Sequence, residues 1–245
     1  MSLLDNESIP RRQMTLFFLI DTSGSMIGSK IGSVNDAIEN VLPMIGEISD
    51  ENPDAEIRVA ALEFSTGTRW LYDEPKEGKE FIWQPVVAEG LTSLGEACEE
   101  LEKKLHRNGG FMTSPSGCYA PAVILLSDGG PTDNFEAGLT KLQSNSWFKN
   151  AIRIAIAIGD DADMEVLKKF TGSAEAVIKV HNVDALKKMI RVIAVTSSQI
   201  GSKSTSATDA TKQEQVIEQI NKEAQDTQGA ESAAAPAPSA DDEWD

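Results

Sequence analysis

Asp21, Ser23 and Ser25 stand at i, i+2 and i+4 in the run Asp21-Thr22-Ser23-Gly24-Ser25, directly after the apolar segment 14–20. Carboxylate and hydroxyl oxygens at that spacing on a tight loop can converge on one centre, which is what a hard divalent cation such as Mg2+, Mn2+ or Ca2+ requires of its ligands. Gly24 permits the sharp turn. Asp128-Gly129-Gly130-Pro131-Thr132-Asp133 follows a second apolar run, and Gly90-Leu91-Thr92-Ser93 precedes a helical pattern. The two glycines after Asp128 would let another loop approach closely. Two carboxylates, Asp21 and Asp128, with the hydroxyls of Ser23, Ser25 and Thr92 would leave Mg2+ an open or water-filled position. A carboxylate from another protein could complete it.

Loops that present such groups need a scaffold, and the rest of the chain reads as one. Short apolar runs at 14–20, 57–64, 122–127, 151–158 and 176–180 alternate with helical spacing, as in Ile31, Val34, Ile38, Val41, Leu42, Ile45 and Ile48, where Pro43 is expected to kink or shorten the helix. Leu94, Ala97, Cys98, Leu101 and Leu105 mark a second helix, and further helices are expected near 164–170 and 183–198. Segments 68–72 and 81–83 read as a pair of short strands around the charged turn 73–80. Strands apolar on both faces and separated by helices imply an α/β fold, doubly wound, with a mainly parallel central sheet covered by helices on both faces. In such sheets ligands gather at the carboxyl ends of the strands, which is where both oxygen-rich loops fall.

Composition narrows the function classes. The chain has 245 residues, 40% hydrophobic and 25% charged, the values of an ordinary globular protein. Lys and Arg total 22 against 39 Asp and Glu, a net charge of −17 that repels phosphate backbones and anionic lipid, so neither nucleic acid nor membrane is an expected partner. Two cysteines, Cys98 and Cys118, are too few for a disulfide framework, though one bridge between them stays possible. No secretory signal pattern opens the chain and no apolar run approaches the roughly 20 residues of a membrane span, so a cytoplasmic location is expected. Residues 1–13 read as an N-terminal extension and 14–200 as the domain. From 201 to 245 the composition turns to Ser, Thr, Ala, Gln and acids, a low-complexity acidic tail with one possible short helix at 212–225. Its end, Asp-Asp-Glu-Trp-Asp, is either a solubilising terminus or a docking motif anchored by Trp244.

Taken together, DTSGSM at 21–26, LTSLGEA at 91–97 and VILLSDGGPTD at 123–133 resemble the metal-ion-dependent adhesion site of a von Willebrand factor A domain. The resemblance covers about residues 14 to 198, and SDGGPTD is most similar to the bacterial tellurite-resistance TerY-type (YegL-like) branch. It implies Asp21, Ser23 and Ser25 as metal-site residues, with Thr92 and Asp128 completing the site directly or through water. It also implies ligand binding without turnover. Ser93 is the substitute for Thr92, because Gly90-Leu91 stands where relatives often carry two small residues. Members of that branch are often associated with kinases or phosphatases of stress-response systems, which implies a partner class. Met26, Ser93 and Gly130 are the candidates for contact with the partner, Met26 as part of an apolar rim.

Plainer readings accompany each of these. Ser23 and Ser25 could cap the following helix. Asp133 could cap a helix or orient a loop. Asp160, Asp161 and Asp163 could hold a second cation, but the preference of acids for helix N-termini explains them more simply. His106 and His181 accompany no nucleophile motif. An Mg2+-dependent phosphoryl-transfer enzyme with Asp21 as nucleophile is the alternative function, although position 23 is Ser where a second acid is wanted, and no P-loop or Gly-x-Ser-x-Gly is present. A regulatory scaffold acting through the acidic tail is the other.

Overall fold

The computed structural model describes residues 11–180, 182–202 and 213–222. Its centre is a seven-stranded sheet in which β1 (Arg12–Asp21) lies between β2 (Ala55–Ser65) and β5 (Ala122–Ser127). β6 (Ile152–Ile158) and β7 (Val177–Val180) extend it beyond β5, all parallel, while β3 (Gly67–Trp70) and β4 (Lys76–Glu77) pair antiparallel with β2. The α/β expectation therefore holds, with an antiparallel edge added on the β2 side.

Alternation along β1 explains the two layers. Leu16, Phe18 and Ile20 face α1 (Ser29–Glu51) and α6 (Val183–Ser202). Phe17 and Leu19 face the layer of α2 (Leu94–Lys104), α3 (Phe135–Ser144) and α5 (Met164–Thr171), with the short α4 (Ser146–Lys149) beside it. Covered on both sides, the central strands are apolar at nearly every position, as parallel strands must be. Pro43 does not break α1, which runs through it from Ser29 to Glu51. Cys98 and Cys118 are both buried and free, so no bridge forms.

Residues 81–83 do not form the expected strand. Phe81 and Trp83 are buried and Ile82 is exposed, a strand-like alternation with no strand beside it. β4 instead takes the edge of β2 at Arg58 and Val59. Trp83 is fixed by side chains: its Nε1 donates to Asn35 Oδ1 at 3.2 Å.

The boundary expected at 200 also moves. Residues 213–222 form a helix, α7, whose Val216, Ile217 and Ile220 are buried in the same core layer as α1 and α6. β7 pairs with β6 only from Ala155 onward, and the Gln213 amide serves the strand before that point. Its Oε1 accepts from Arg153 N and its Nε2 donates to Arg153 O, both at 2.9 Å. Three apolar residues on one helix face, too few for a core of their own, suffice to complete an existing one. His181, Trp244 and the acidic terminus lie outside the described residues. Among the described residues no helix is long and apolar enough to cross a membrane.

Candidate functional site

The chain leaves β1 toward β2 by way of α1 and later reaches β5 on the other flank of β1, so the loops after β1 and β5 diverge onto opposite faces. The crevice opened by that divergence is where doubly wound sheets bind ligands. Asp21 ends β1 and Asp128 directly follows β5.

Asp21 is completely buried. Its Oδ1 accepts from Ser23 N at 2.9 Å and its Oδ2 from Ser127 Oγ at 2.6 Å. Ser127 in turn accepts from Gly129 N at 2.7 Å, so one hydroxyl joins the ends of both strands. Burial raises the Asp21 pKa above its ordinary 3.8, against the hydrogen bonds from Ser127 and Ser23 and with a further push from the charge of Asp128.

A 3-10 turn (Gly24–Met26) carries the chain from Asp21 toward α1. Ser23 Oγ and Ser25 Oγ lie 3.0 Å apart, Ser23 buried and Ser25 open to solvent. Neither serine caps a helix: the turn after Ser23 has no side-chain cap, and α1 begins from Gly28 without one. The turn has a second effect. Met26 swings inward to full burial in the core, and Ile27 is left 66% exposed. Met26 therefore cannot form the expected rim; Ile27 is exposed in its stead, with Leu91 on the loop before α2 and Met164 at the start of α5 also exposed.

The loop before α2 is fastened to the first one. Glu89 N donates to Thr22 O at 2.8 Å and Gly24 N to Gly90 O at 3.1 Å. Gly90 has φ +79°, and a Cβ there would stand 2.5 Å from Thr66 Oγ1, so only glycine brings this loop so close. Thr92 is buried and joined to the Asp128 loop: its N donates to Thr132 Oγ1 at 3.0 Å, and Thr132 N donates to Thr92 O at 2.9 Å. Ser93 is committed elsewhere, its N to Ser65 O and its Oγ accepting from Gly67 N. It is thus unsuited to replace Thr92. Gly130 is exposed beside Asp128.

Asp133 and Asp163 take the plainer role. Asp133 caps α2 from across the loop, accepting from Gly95 N at 2.9 Å and Glu96 N at 2.8 Å. Asp163 caps α5, accepting from Glu165 N and Val166 N. Asp161 does something the sequence did not suggest. It binds Lys30 Nζ at 2.7 Å, and the same ammonium reaches Asp128 Oδ2 at 3.3 Å. Burial opposes the Lys30 charge, yet Asp161 and Asp128 together hold its pKa above the ordinary value. Neither residue signals this role in the sequence: Ser127 ends an apolar strand, and Lys30 lies before the helical spacing that begins at Ile31.

Oxygen donors of Asp21, Ser23, Ser25, Thr92 and Asp128 thus occupy three interlocked loops at one edge of the sheet. Among the described residues no group of three or more His, Cys, Asp or Glu is placed to hold a metal ion. A cation here would draw on hydroxyls as well as carboxylates, a donor set that suits a hard divalent ion.

Known structures share this scaffold. The mussel byssus proximal thread matrix protein 1, in a form whose metal-ion-dependent adhesion motif is occupied by zinc, is 15% identical with a TM-score of 0.55, covering 76% of this chain and 48% of that one. The ArnB paralog VWA2 of Sulfolobus acidocaldarius is 20% identical, TM-score 0.55, covering 74% of this chain and 45% of that one. The PilB minor pilin of Streptococcus sanguinis is 13% identical, TM-score 0.59, covering 78% and 63%. Each likeness is one of fold, and this chain spans about half the length of the first two. No curated protein matches the sequence. The family model of the von Willebrand factor type A domain matches residues 15–192, from the first strand well into α6, and the chain belongs to that family.

Proposed function

We propose that this chain is a metal-dependent protein-binding module. Asp21, Ser23 and Ser25 would hold a divalent cation, Mg2+ or Mn2+ before Ca2+, with Thr92 and Asp128 completing its shell directly or through water. When bound, the cation would act as a Lewis acid for one oxygen of an incoming Asp or Glu. The observation that carries this reading is the state of Asp21: a fully buried carboxylate, aimed by two hydrogen bonds, beside two hydroxyls 3.0 Å apart. A charge left so costs stability unless something positive offsets it.

The module would bind its partner without turning it over, in keeping with the absence of nucleophile motifs in the sequence, and would work in the cytoplasm. The exposed side chains of Ile27, Leu91 and Met164 would supply apolar contacts around the acid. The finer likeness to the TerY-type branch rests on the SDGGPTD segment; on that reading the partner is a kinase or phosphatase of a stress-response system.

Calorimetric titration of metal-free protein with Mg2+ and Mn2+ tests the proposal. Saturable binding that Asp21→Ala and Asp128→Ala each abolish, with both variants folded, is the expected result. Undiminished binding in both variants would refute it.

A further inference from the structure

We propose that the partner is an extended segment of another protein lying along α1, with one acid at the metal and an apolar side chain anchored near the middle of that helix. This rests on the metal-dependent reading above and names the chemistry of its partner.

Residues 78–91 run alongside α1 in the opposite direction. At one end Gly78 packs so closely on the helix that a Cβ there would meet Gly46 N and Leu42 O at 2.7 Å. Further along, the Asn35 amide holds Val86 as a neighbouring strand would: its Oδ1 accepts from Val86 N at 2.8 Å and its Nδ2 donates to Val86 O at 2.9 Å. At the other end Gly90 O accepts from Gly24 N, between the two serines of the metal motif. The segment thus leads from the middle of α1 to Thr92.

This segment concentrates exposed apolar groups. Five large apolar side chains are exposed among the described residues, and three of them lie here: Ile82 at 71%, Val87 at 75%, and Leu91. Val87 N and O make no hydrogen bond among the described residues and can pair with a partner's backbone. Where the segment starts, Leu42 and Pro43 of α1 with Phe81 and Trp83 line a cavity of about 290 Å3, together with Glu39 and Lys79. It has room for one apolar side chain. Apolar groups gathered in this way, continuous with a ligand site, mark a docking surface.

Charge selects the occupant. Glu39, Glu80 and Glu89 are exposed along the seam, while Lys79 is paired with Asp50 and Asp36 with Lys187. The seam is therefore acidic, and a partner's acid is favoured only at a bound cation. The run Asp-Asp-Glu-Trp-Asp of this chain carries four acids and is repelled, so the occupant is a different protein. From Ser29 to Leu42 the helix rises about 20 Å. An extended chain covers that in about six residues. The partner's acid and its apolar anchor stand about that far apart, with neutral or basic residues between.

Random dodecapeptides displayed on phage, captured on the full chain in Mg2+ and released by chelator, provide the test. Released peptides are expected to carry one Asp or Glu with an apolar residue about six positions away. Pro43→Glu, which puts a charge at the cavity, and Val87→Ser should each abolish that apolar preference. Each should weaken a selected peptide at least ~10-fold, with Mg2+ affinity by calorimetry unchanged. Both side chains are exposed, so neither change disturbs the core. Released peptides with an acid but no apolar preference, or undiminished peptide affinity in both variants, would overturn the docking surface and leave the metal site standing. Mg2+ binding without any released peptide would do the same, whereas absence of Mg2+ binding would overturn both readings. Self-association of the wild type that Val87→Ser abolishes would assign the surface to a second copy and refute the partner proposed.

Discussion

Replacing Ser127 with Ala should unfasten the floor of the site without touching a proposed metal ligand. The Ser127 hydroxyl is fully buried, donates to Asp21 Oδ2 at 2.6 Å and accepts from Gly129 N at 2.7 Å. A hydrogen bond to a charged group contributes about 1.5–3 kcal/mol, and a buried donor left without its acceptor costs about 1–3 kcal/mol. The two losses share one hydroxyl, so about 3 kcal/mol is the expected cost for metal-free protein. For a domain of this size that is a fall of roughly 6–12 °C in melting temperature. Urea melts in a chelator-containing buffer read it directly. A double-mutant cycle with Asp21→Asn isolates the charge: in that background Ser127→Ala should cost only about 1–2 kcal/mol, since the ionised acceptor is gone. A cost below about 0.5 kcal/mol, or the same cost in both backgrounds, would show that Ser127 does not hold the Asp21 carboxylate.

Asp21→Asn itself should stabilise the metal-free protein at neutral pH while removing cation binding. Because the native pKa of Asp21 is raised, the folded state holds that proton more tightly than the unfolded chain. Its contribution is full below the ordinary value of 3.8 and declines as pH rises to the raised native value, so the wild type should lose stability over a window the variant lacks. Melts from pH 3 to 8, about the range needed, check this. At the contact of α2 with α3, Gly138→Ala places a Cβ 2.1 Å from the backbone oxygen of Gly95. Neither helix can yield cheaply, and a loss of about 2 kcal/mol or more in denaturant melts is expected, with Mn2+ affinity unchanged.

What the sequence disclosed of this site was its local part. Asp21, Ser23 and Ser25 share one loop, and their spacing states their chemistry; Asp128 follows a strand that composition alone identifies. Lys30 meets Asp128 and Asp161 across 98 and 131 positions, and no pattern near Lys30 announces either. Ser127 was hidden because an all-apolar strand with one terminal hydroxyl reads as a strand end. Met26 and Ile27 exchanged places because a 3-10 turn, with about three residues per turn, rotates the following side chain away from where an extended loop would put it. At 81–83 the period-two burial was real, but a strand also needs a neighbour, and neighbours are set by the whole sheet.

Gln213 gives the domain's stability an unexpected dependence on the far end of the chain. A primary amide has the same donor and acceptor as a peptide group, and here one side chain impersonates a single residue of an absent strand on the lower half of β6. Cutting after 200, where composition suggests the domain is finished, would strip away that imitation together with Val216, Ile217 and Ile220. The fragment would present a bare β-edge beside newly wetted hydrocarbon, which is how folded domains recruit copies of themselves into aggregates. A fragment ending after residue 222 keeps the guard in place, so clumping by a shorter one would reflect where the chain was cut.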